Sequence, residues 1–349
     1  MIRMIWFMLL VLLFSVSVSA QESNVLTVVA HDSFIYTEEV VDQFEAETGI
    51  TVEVLRLGDA GTMLNQVILS KDNPLGDVIF GVDNTFLGRA LEEDLFIPYA
   101  SSALETVPEA FQLDPENRVT PIDFGDVCLN YDAAYFEAAD LELPASLEDL
   151  TLPAYQDALV VQNPATSSPG LAFLLLTVAA FGDEGDYTYL DYWQDLIANG
   201  VTIAEDWTDA YYGEFSGVAG SGGTHPLVMS YASSPPAEVF FADPPVETAP
   251  TGAVVADGTC FRQIEFAGIL RGTDNEAAAQ QFIDFMLSRE FQEDMPLQMF
   301  VFPVNAEAEL PEVFAEHAAM PENPVTLDPA EIAANRDEWI QAWTETVLR

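Results

Sequence analysis

The sequence predicts an α/β protein built as two domains joined by crossover strands. Three observations lead there. Short β-branched runs alternate with helical periods through residues 25–92, the pattern of a parallel sheet covered by helices. The alternation starts again near residue 130 and runs to about residue 258. Two cysteines, Cys128 and Cys260, stand in strand-like segments at the two ends of that second unit.

Residues 1–20 come first. Arg3, the apolar run Met4–Phe14 and the small-residue end Val18-Ser19-Ala20 predict a cleaved signal peptide, with an uncleaved anchor as the alternative. The run is too short for a spanning helix, which needs about 20 apolar residues. No cysteine follows the cleavage site, so a soluble form is expected in the periplasm or outside the cell, without a lipid anchor.

The mature chain opens with a strand at Val25–Ala30 and a polar turn, His31-Asp32-Ser33-Phe34. Glu38–Glu47 is a helix, with Val40, Val41 and Phe44 at helical spacing and Gly49 as its stop. Ile50–Leu57 alternates as a strand, and Ala60–Ser70 is a helix with Met63, Leu64, Val67 and Ile68 on one face. Asp77–Val82 is a third strand and Asn84–Glu92 a third helix. Ligands of such sheets bind beyond the carboxyl ends of the strands. That rule points to Asp32-Ser33-Phe34 and to Asp83-Asn84.

In the second unit, Leu159–Gln162, Val201–Ala204 and Leu227–Tyr231 are strands. Leu171–Phe181 is a strongly apolar helix, and Tyr189–Asn199 another with Tyr192, Trp193 and Leu196 on its face. Two further helices, Ala277–Leu287 and Pro329–Leu348, follow. The last has Asp328 as N-cap, Pro329 at its first position and Ile332, Trp339 and Trp343 at core-facing intervals. A chain that leaves the first domain, builds the second and returns places two crossover strands side by side. Cys128 and Cys260 are expected to pair across that hinge in an oxidising compartment, the alternative being two buried thiols. No internal repeat is present.

Charge narrows the partners. Asp and Glu number 58 against 10 Lys and Arg, Lys71 is the only lysine, and the formal net charge is −48. Such a field repels nucleic acid and anionic membranes and attracts small cations, although adaptation of the surface to its habitat also accounts for it. Half the residues are apolar, enough for large cores.

Three further segments have binding character. Gln162–Gly170 joins a strand to the apolar helix, and Thr166, Ser167 and Ser168 stand at that helix N-terminus, where an anion such as phosphate is favoured. Ordinary capping by Ser168 before Pro169 is an equal alternative. Trp207-Thr208-Asp209-Ala210-Tyr211-Tyr212 puts two rings, Trp207 and Tyr211, one helical turn apart. Ser230-Tyr231-Ala232-Ser233-Ser234-Pro235 adds a third ring with hydroxyls. Aromatic faces attract a desolvated cation by about 0.5–2 kcal/mol each. Catalysis has little support: His31, His225 and His317 lack metal-ligand spacing, and no nucleophile elbow occurs. Neither a catalytic group nor a cofactor or metal is expected.

Taken in order, these segments resemble the thiamine-binding periplasmic proteins of ABC importers, within the two-lobed solute-binding superfamily. The resemblance runs over nearly the whole mature chain. It rests on Asp32-Ser33-Phe34, Gly81-Val82-Asp83-Asn84, Asp123-Phe124-Gly125, Thr166–Gly170, Trp207–Tyr211, Ser230–Pro235, Phe302-Pro303-Val304 and Pro329–Arg349. It implies a type II periplasmic-binding fold, with residues 21–127 and 261–349 as one lobe and 128–260 as the other. It also implies thiamine or its mono- or diphosphate as cargo, an ABC permease as partner, and a monomer. Trp207, Tyr211 and Tyr231 would stack on the ligand, while Asp83 or Asp32, with Ser33 and Asn84 beside them, would meet its amino group or positive charge. Thr166, Ser167 and Ser168 would take a phosphate, and Ser233 and Ser234 would add hydroxyls.

The chain departs from the pattern in two places. Phe300, in Met299-Phe300-Val301, falls where a bulkier indole is expected, and the two cysteines are not features of the best-known members. The pair Tyr211-Tyr212 also resembles the iron-coordinating tyrosines of ferric-ion receptors in the same superfamily. A ferric-ion receptor is therefore the first alternative, and a secreted hydrolase the second.

Overall fold

The computed structural model describes residues 24–349, so the signal-peptide expectation for residues 1–20 lies outside the described part. The first unit begins with β1 (Val25–Ala30), α1 (Glu38–Thr48), β2 (Thr51–Arg56), α2 (Ala60–Leu69), β3 (Val78–Asp83), α3 (Leu87–Glu92) and β4 (Phe96–Ile97). β1 lies between β2 and β3 and is parallel to both. α1 turns its buried Val41 and Phe44 to the core and stops at Gly49, whose φ of 73° lets its N–H reach the Glu45 carbonyl. α2 is capped by the Asp59 carboxylate, which accepts from the Ala60 N–H at 2.8 Å.

The chain then crosses over on β5 (Thr120–Asp132), thirteen residues long and buried over most of its length. The second unit holds α4 (Ala133–Ala139), β6 (Leu159–Gln162), α5 (Ser168–Phe181), α6 (Tyr189–Ala198), β7 (Thr202–Ala204), a π-helical turn at Asp209–Glu214, β8 (Leu227–Tyr231), α7 (Pro235–Phe240) and β9 (Thr251–Val254). β10 (Phe261–Leu270) brings the chain back. The remaining elements are α8 (Glu276–Met286), α9 (Arg289–Gln298), β11 (Phe302–Pro303), α10 (Glu312–His317) and α11 (Pro329–Val347).

One mixed sheet threads the whole molecule in the order β2-β1-β3-β10-β5-β8-β6-β7. The parallel sheet predicted from the alternation holds within each unit, for β1–β3 and for β6–β8. It fails at the join. β5 and β10 are antiparallel to each other, β10 to β3 and β5 to β8, because one strand carries the chain out and the other returns it. The molecule is therefore two α/β lobes on a shared pair of crossover strands. β10 changes register against both neighbours around Glu265, Phe266 and Ala267, so the ladder kinks there.

Two predicted helix starts move. α3 begins at Leu87, not Asn84, because the Asp83 carboxylate holds the Thr85 N–H and hydroxyl at 2.7 and 2.5 Å in a turn. Asn84 is tied to the crossover strand, donating to the Arg262 carbonyl and accepting from the Ile264 N–H. α5 begins at Ser168, three residues before Leu171, with Ser167 in the N-cap position.

Cys128 and Cys260 form a disulfide, Cα to Cα 4.4 Å, buried with Ala232 beside it, and no described cysteine is free. Next to it, Arg262 binds the buried Asp126 through two bonds of 2.6 and 3.1 Å and lies 4.8 Å over the Phe124 ring. α11 packs against both units. Trp343 meets Trp193 of α6 edge-on at 5.4 Å, and Arg336 stands 4.7 Å over Phe86, at the start of α3.

Candidate functional site

Between the lobes lies a cleft whose empty space, counted out into open solvent, is about 670 Å³. Most of its walls come from segments that follow a strand or open a helix; Glu265 in β10 itself and the loop of residues 299–301 after α9 are the exceptions. The turn after β1 gives His31 and Ser33, and the start of α2 gives Asp59. The loop after α9 gives Phe300, whose φ of 55° is unusual for a residue with a side chain. From the other lobe come Ser168 at the start of α5, Trp207 and Tyr211 at the π-helical turn, and Tyr231 and Ser234 at the end of β8.

The aromatic wall differs from two rings facing a ligand. Trp207 and Tyr211 stack on each other, centroids 5.1 Å apart and planes at 13°. Tyr211 is 1 % exposed and its hydroxyl donates to Glu238 at 3.3 Å, so it backs Trp207, whose indole N–H donates to Ser230. Tyr231 is held by Gln263, which donates to its hydroxyl at 2.9 Å. Gly125 makes room for it, since a Cβ there would come within 2.8 Å of the Tyr231 ring.

The floor is acidic. Glu265 of β10 faces Asp123 of β5 in register, and Asp123 is completely buried. Burial pushes the Asp123 carboxyl well up, and the Glu265 carboxylate pushes it further. His31 Nε2 lies 3.5 Å from Glu265. Burial lowers the His31 imidazole most strongly, but the charge and hydrogen bond of Glu265 together with the charges of Asp59 and Asp83 outweigh it, and the net direction is up. Burial also raises Asp59. A Cβ on Gly81, which has φ of 94°, would collide with the His31 ring at 2.0 Å, so that glycine clears the place where the ring sits.

Of the residues singled out from the sequence, Ser33, Ser168, Trp207, Tyr211, Tyr231, Ser234 and Phe300 line the cavity. The others stand behind or beside it. Asp83 is completely buried and accepts from the Ser168 hydroxyl across the cleft; burial pushes its carboxyl up to about 6. Asn84 serves the crossover strand. Thr166 donates its hydroxyl to the Glu205 carbonyl, and its own carbonyl takes the Gly61 N–H from the opposite lobe at 3.2 Å. Ser167 is buried, Ser233 donates to the Phe300 carbonyl, and exposed Asp32 accepts from the Gly58 N–H beside a smaller adjoining cleft. Ser168 does not cap α5, as one reading of the sequence expected, because its hydroxyl points to Asp83.

Among the lining residues not singled out, three carry charge or can take it: His31, Asp59 and Glu265. Asp59 follows β2 as Asp32 follows β1, so the strand-end rule, applied once more, finds it. His31 sits in the turn that was singled out. Glu265 lies inside a strand, where no sequence signal separates it from a surface residue.

An apolar ring wall above a carboxylate floor suits a flat organic cation that also carries hydrogen-bond donors. Among the described residues no group of three or more His, Cys, Asp or Glu is arranged to hold a metal ion. Burial, followed by the charge of Glu238, pushes the phenols of both Tyr211 and Tyr212 up, away from the tyrosinate form that binds iron.

Residues 73–321 match the family described as bacterial extracellular solute-binding protein. The chain belongs to that family. Its members carry solutes for transport and are not a family of enzymes. This solute-binding protein is 30 % identical to the thiamine-binding periplasmic protein of Escherichia coli K12, over 93 % of this chain and 94 % of that one. It is 27 % identical to the protein of that name from Brucella suis, over 95 % and 94 %. A solved periplasmic thiamin binding protein superposes with a TM-score of 0.80 at 29 % identity, over 93 % of this chain and 96 % of that one. The ferric binding protein of Campylobacter jejuni shares the fold, with a TM-score of 0.75 at 18 % identity over 92 % and 99 % of the two chains.

Proposed function

We propose that this protein captures thiamine, or its mono- or diphosphate, in the interlobe cavity and hands it to the permease of an ABC importer. The observation that carries the reading is the pairing of the Trp207 wall with the Asp59 and Glu265 carboxylates in one cavity. Thiamine has a permanently cationic thiazolium to lie on the indole and an aminopyrimidine whose amino group donates to a carboxylate. The sequence relationship to proteins named for thiamine binding supports the same ligand.

The protein works as a monomer in the periplasm after residues 1–20 are removed. Residues 21–127 with 261–349 form one lobe and 128–260 the other, and the cleft closes by bending β5 and β10 near Glu265. No bond of the cargo is made or broken; closure creates the surface that the permease recognises. Calorimetric titration of refolded, ligand-stripped protein tests this. Submicromolar one-to-one binding of thiamine, lost in Trp207→Ala, is expected. No heat from folded protein would sink the assignment.

A further inference from the structure

We infer that the cavity selects the unphosphorylated cation and turns away its phosphate esters. This rests on the thiamine reading above and narrows it. The place in the fold that would favour a phosphate is the N-terminus of α5, where Ser168 and Pro169 line the cavity. That place is taken. The buried Asp83 carboxylate comes from the opposite lobe and accepts from Ser168, so the chain supplies its own anion there.

The loop before α5 is committed as well. The Thr166 hydroxyl goes to the Glu205 carbonyl, the Thr166 carbonyl takes the Gly61 N–H across the cleft, and Ser167 is buried. The charged groups on the cavity lining are Asp59, Glu265 and the His31 that leans on Glu265; no arginine or lysine is among them. The adjoining cleft, which shares Ser33, Asp59 and Trp207 with the cavity, adds Asp32 and Asp206. A tail leaving on that side meets more carboxylates.

Unmet hydrogen-bond capacity points the same way. One oxygen of Asp59, on the cavity wall, is buried without a donor. Such groups are stabilised by a donor or a positive charge. An amino group and a thiazolium supply both, whereas a phosphate adds only more acceptors and about two negative charges. The field of a chain with net charge −48 adds a long-range bias of the same sign.

The test is calorimetric titration of the ligand-stripped, full mature protein with thiamine, its monophosphate and its diphosphate, in dilute buffer and in about 1 M NaCl. Thiamine is expected to bind on the order of a hundredfold more tightly than the monophosphate, with the diphosphate weaker still, since like charges brought together cost several kcal/mol. The ratio should persist in high salt, where the Debye length is about 3 Å and only local contacts remain. Asp59→Asn, which still caps α2, is expected to weaken thiamine and strengthen the monophosphate. Esters binding as well as thiamine, or a ratio that vanishes in salt, would overturn the selection and leave the thiamine reading intact. If none of the three bound to folded protein, both would fall together.

Discussion

The Ser233 hydroxyl donates to the Phe300 carbonyl at 2.7 Å, from one side of the cleft to the other. Phe300 holds a left-handed backbone, which costs a residue with a side chain about 1–3 kcal/mol, and its ring lies 5.6 Å from that of Phe241. A bond in that position would break when the cleft opens, which assigns it to closure more than to folding. Ser233→Ala is expected to weaken ligand binding by about three- to tenfold, the worth of one neutral hydrogen bond. Its unfolding midpoint should stay near wild type. Calorimetry and a denaturant melt on the same preparation check both halves.

Asp83 makes stability depend on pH in a direction unusual for a carboxylate. An unfolded aspartate titrates near 3.9, whereas burial holds Asp83 at about 6. Between those values the folded chain keeps a proton that the unfolded chain has lost. The stabilisation is complete below about pH 4 and is lost as pH rises through about 6. Asp123 is pushed in the same direction, and His31, raised by Glu265 against the effect of burial, contributes with the same sign. Asp83→Asn should remove up to about 1.4 kcal/mol per pH unit from the slope between pH 4 and 6. Denaturant midpoints across that range, compared between variant and wild type, would expose an unchanged slope.

The disulfide closes a loop with a sequence separation of 132 residues. Replacing both Cys128 and Cys260 by Ala is expected to cost about 2–5 kcal/mol. A double variant within about 0.5 kcal/mol of wild type in urea would mean that the packing around Ala232 holds the strands without it.

Arg262 is the counter-charge for Asp126, which burial pushes up and Arg262 pulls down. Arg262→Ala strands that carboxylate and removes the cover over Phe124. A loss of about 3–5 kcal/mol is expected. The paired change Arg262→Met with Asp126→Asn should recover most of it, because neither charge then remains buried. A double-mutant cycle measures the difference.

Much of this was legible before the structure. Strands and helices with one apolar face, such as β1, α2 and α6, announce themselves by period alone, and Trp207 and Tyr231 follow from the rule about strand ends. The illegible parts are those set by two lobes meeting. The strand-end rule finds Asp83 but not that Ser168 reaches it, since the two lie 85 residues apart and touch only through packing of the lobes. Asp123 and Glu265 sit in strands that also carry Asp126, Asn130, Arg262 and Gln263, and nothing local marks these two as the floor of a cleft. β11 has two residues and α9 carries Pro296 in its interior, so neither leaves a periodic trace.

α11 rests on α6 in one lobe and beside α3 in the other, through Trp343 on Trp193 and Arg336 on Phe86. The lobes thus have a third tie besides β5 and β10, one made of side chains instead of backbone. Any change in the angle between them is felt at one of these two contacts, where a helix must slide or part from its neighbour. Bending at the strands therefore comes with shear at the C-terminus. A swing of one lobe would have to slip these contacts, and the C-terminal helix would then act as a brake on the jaw.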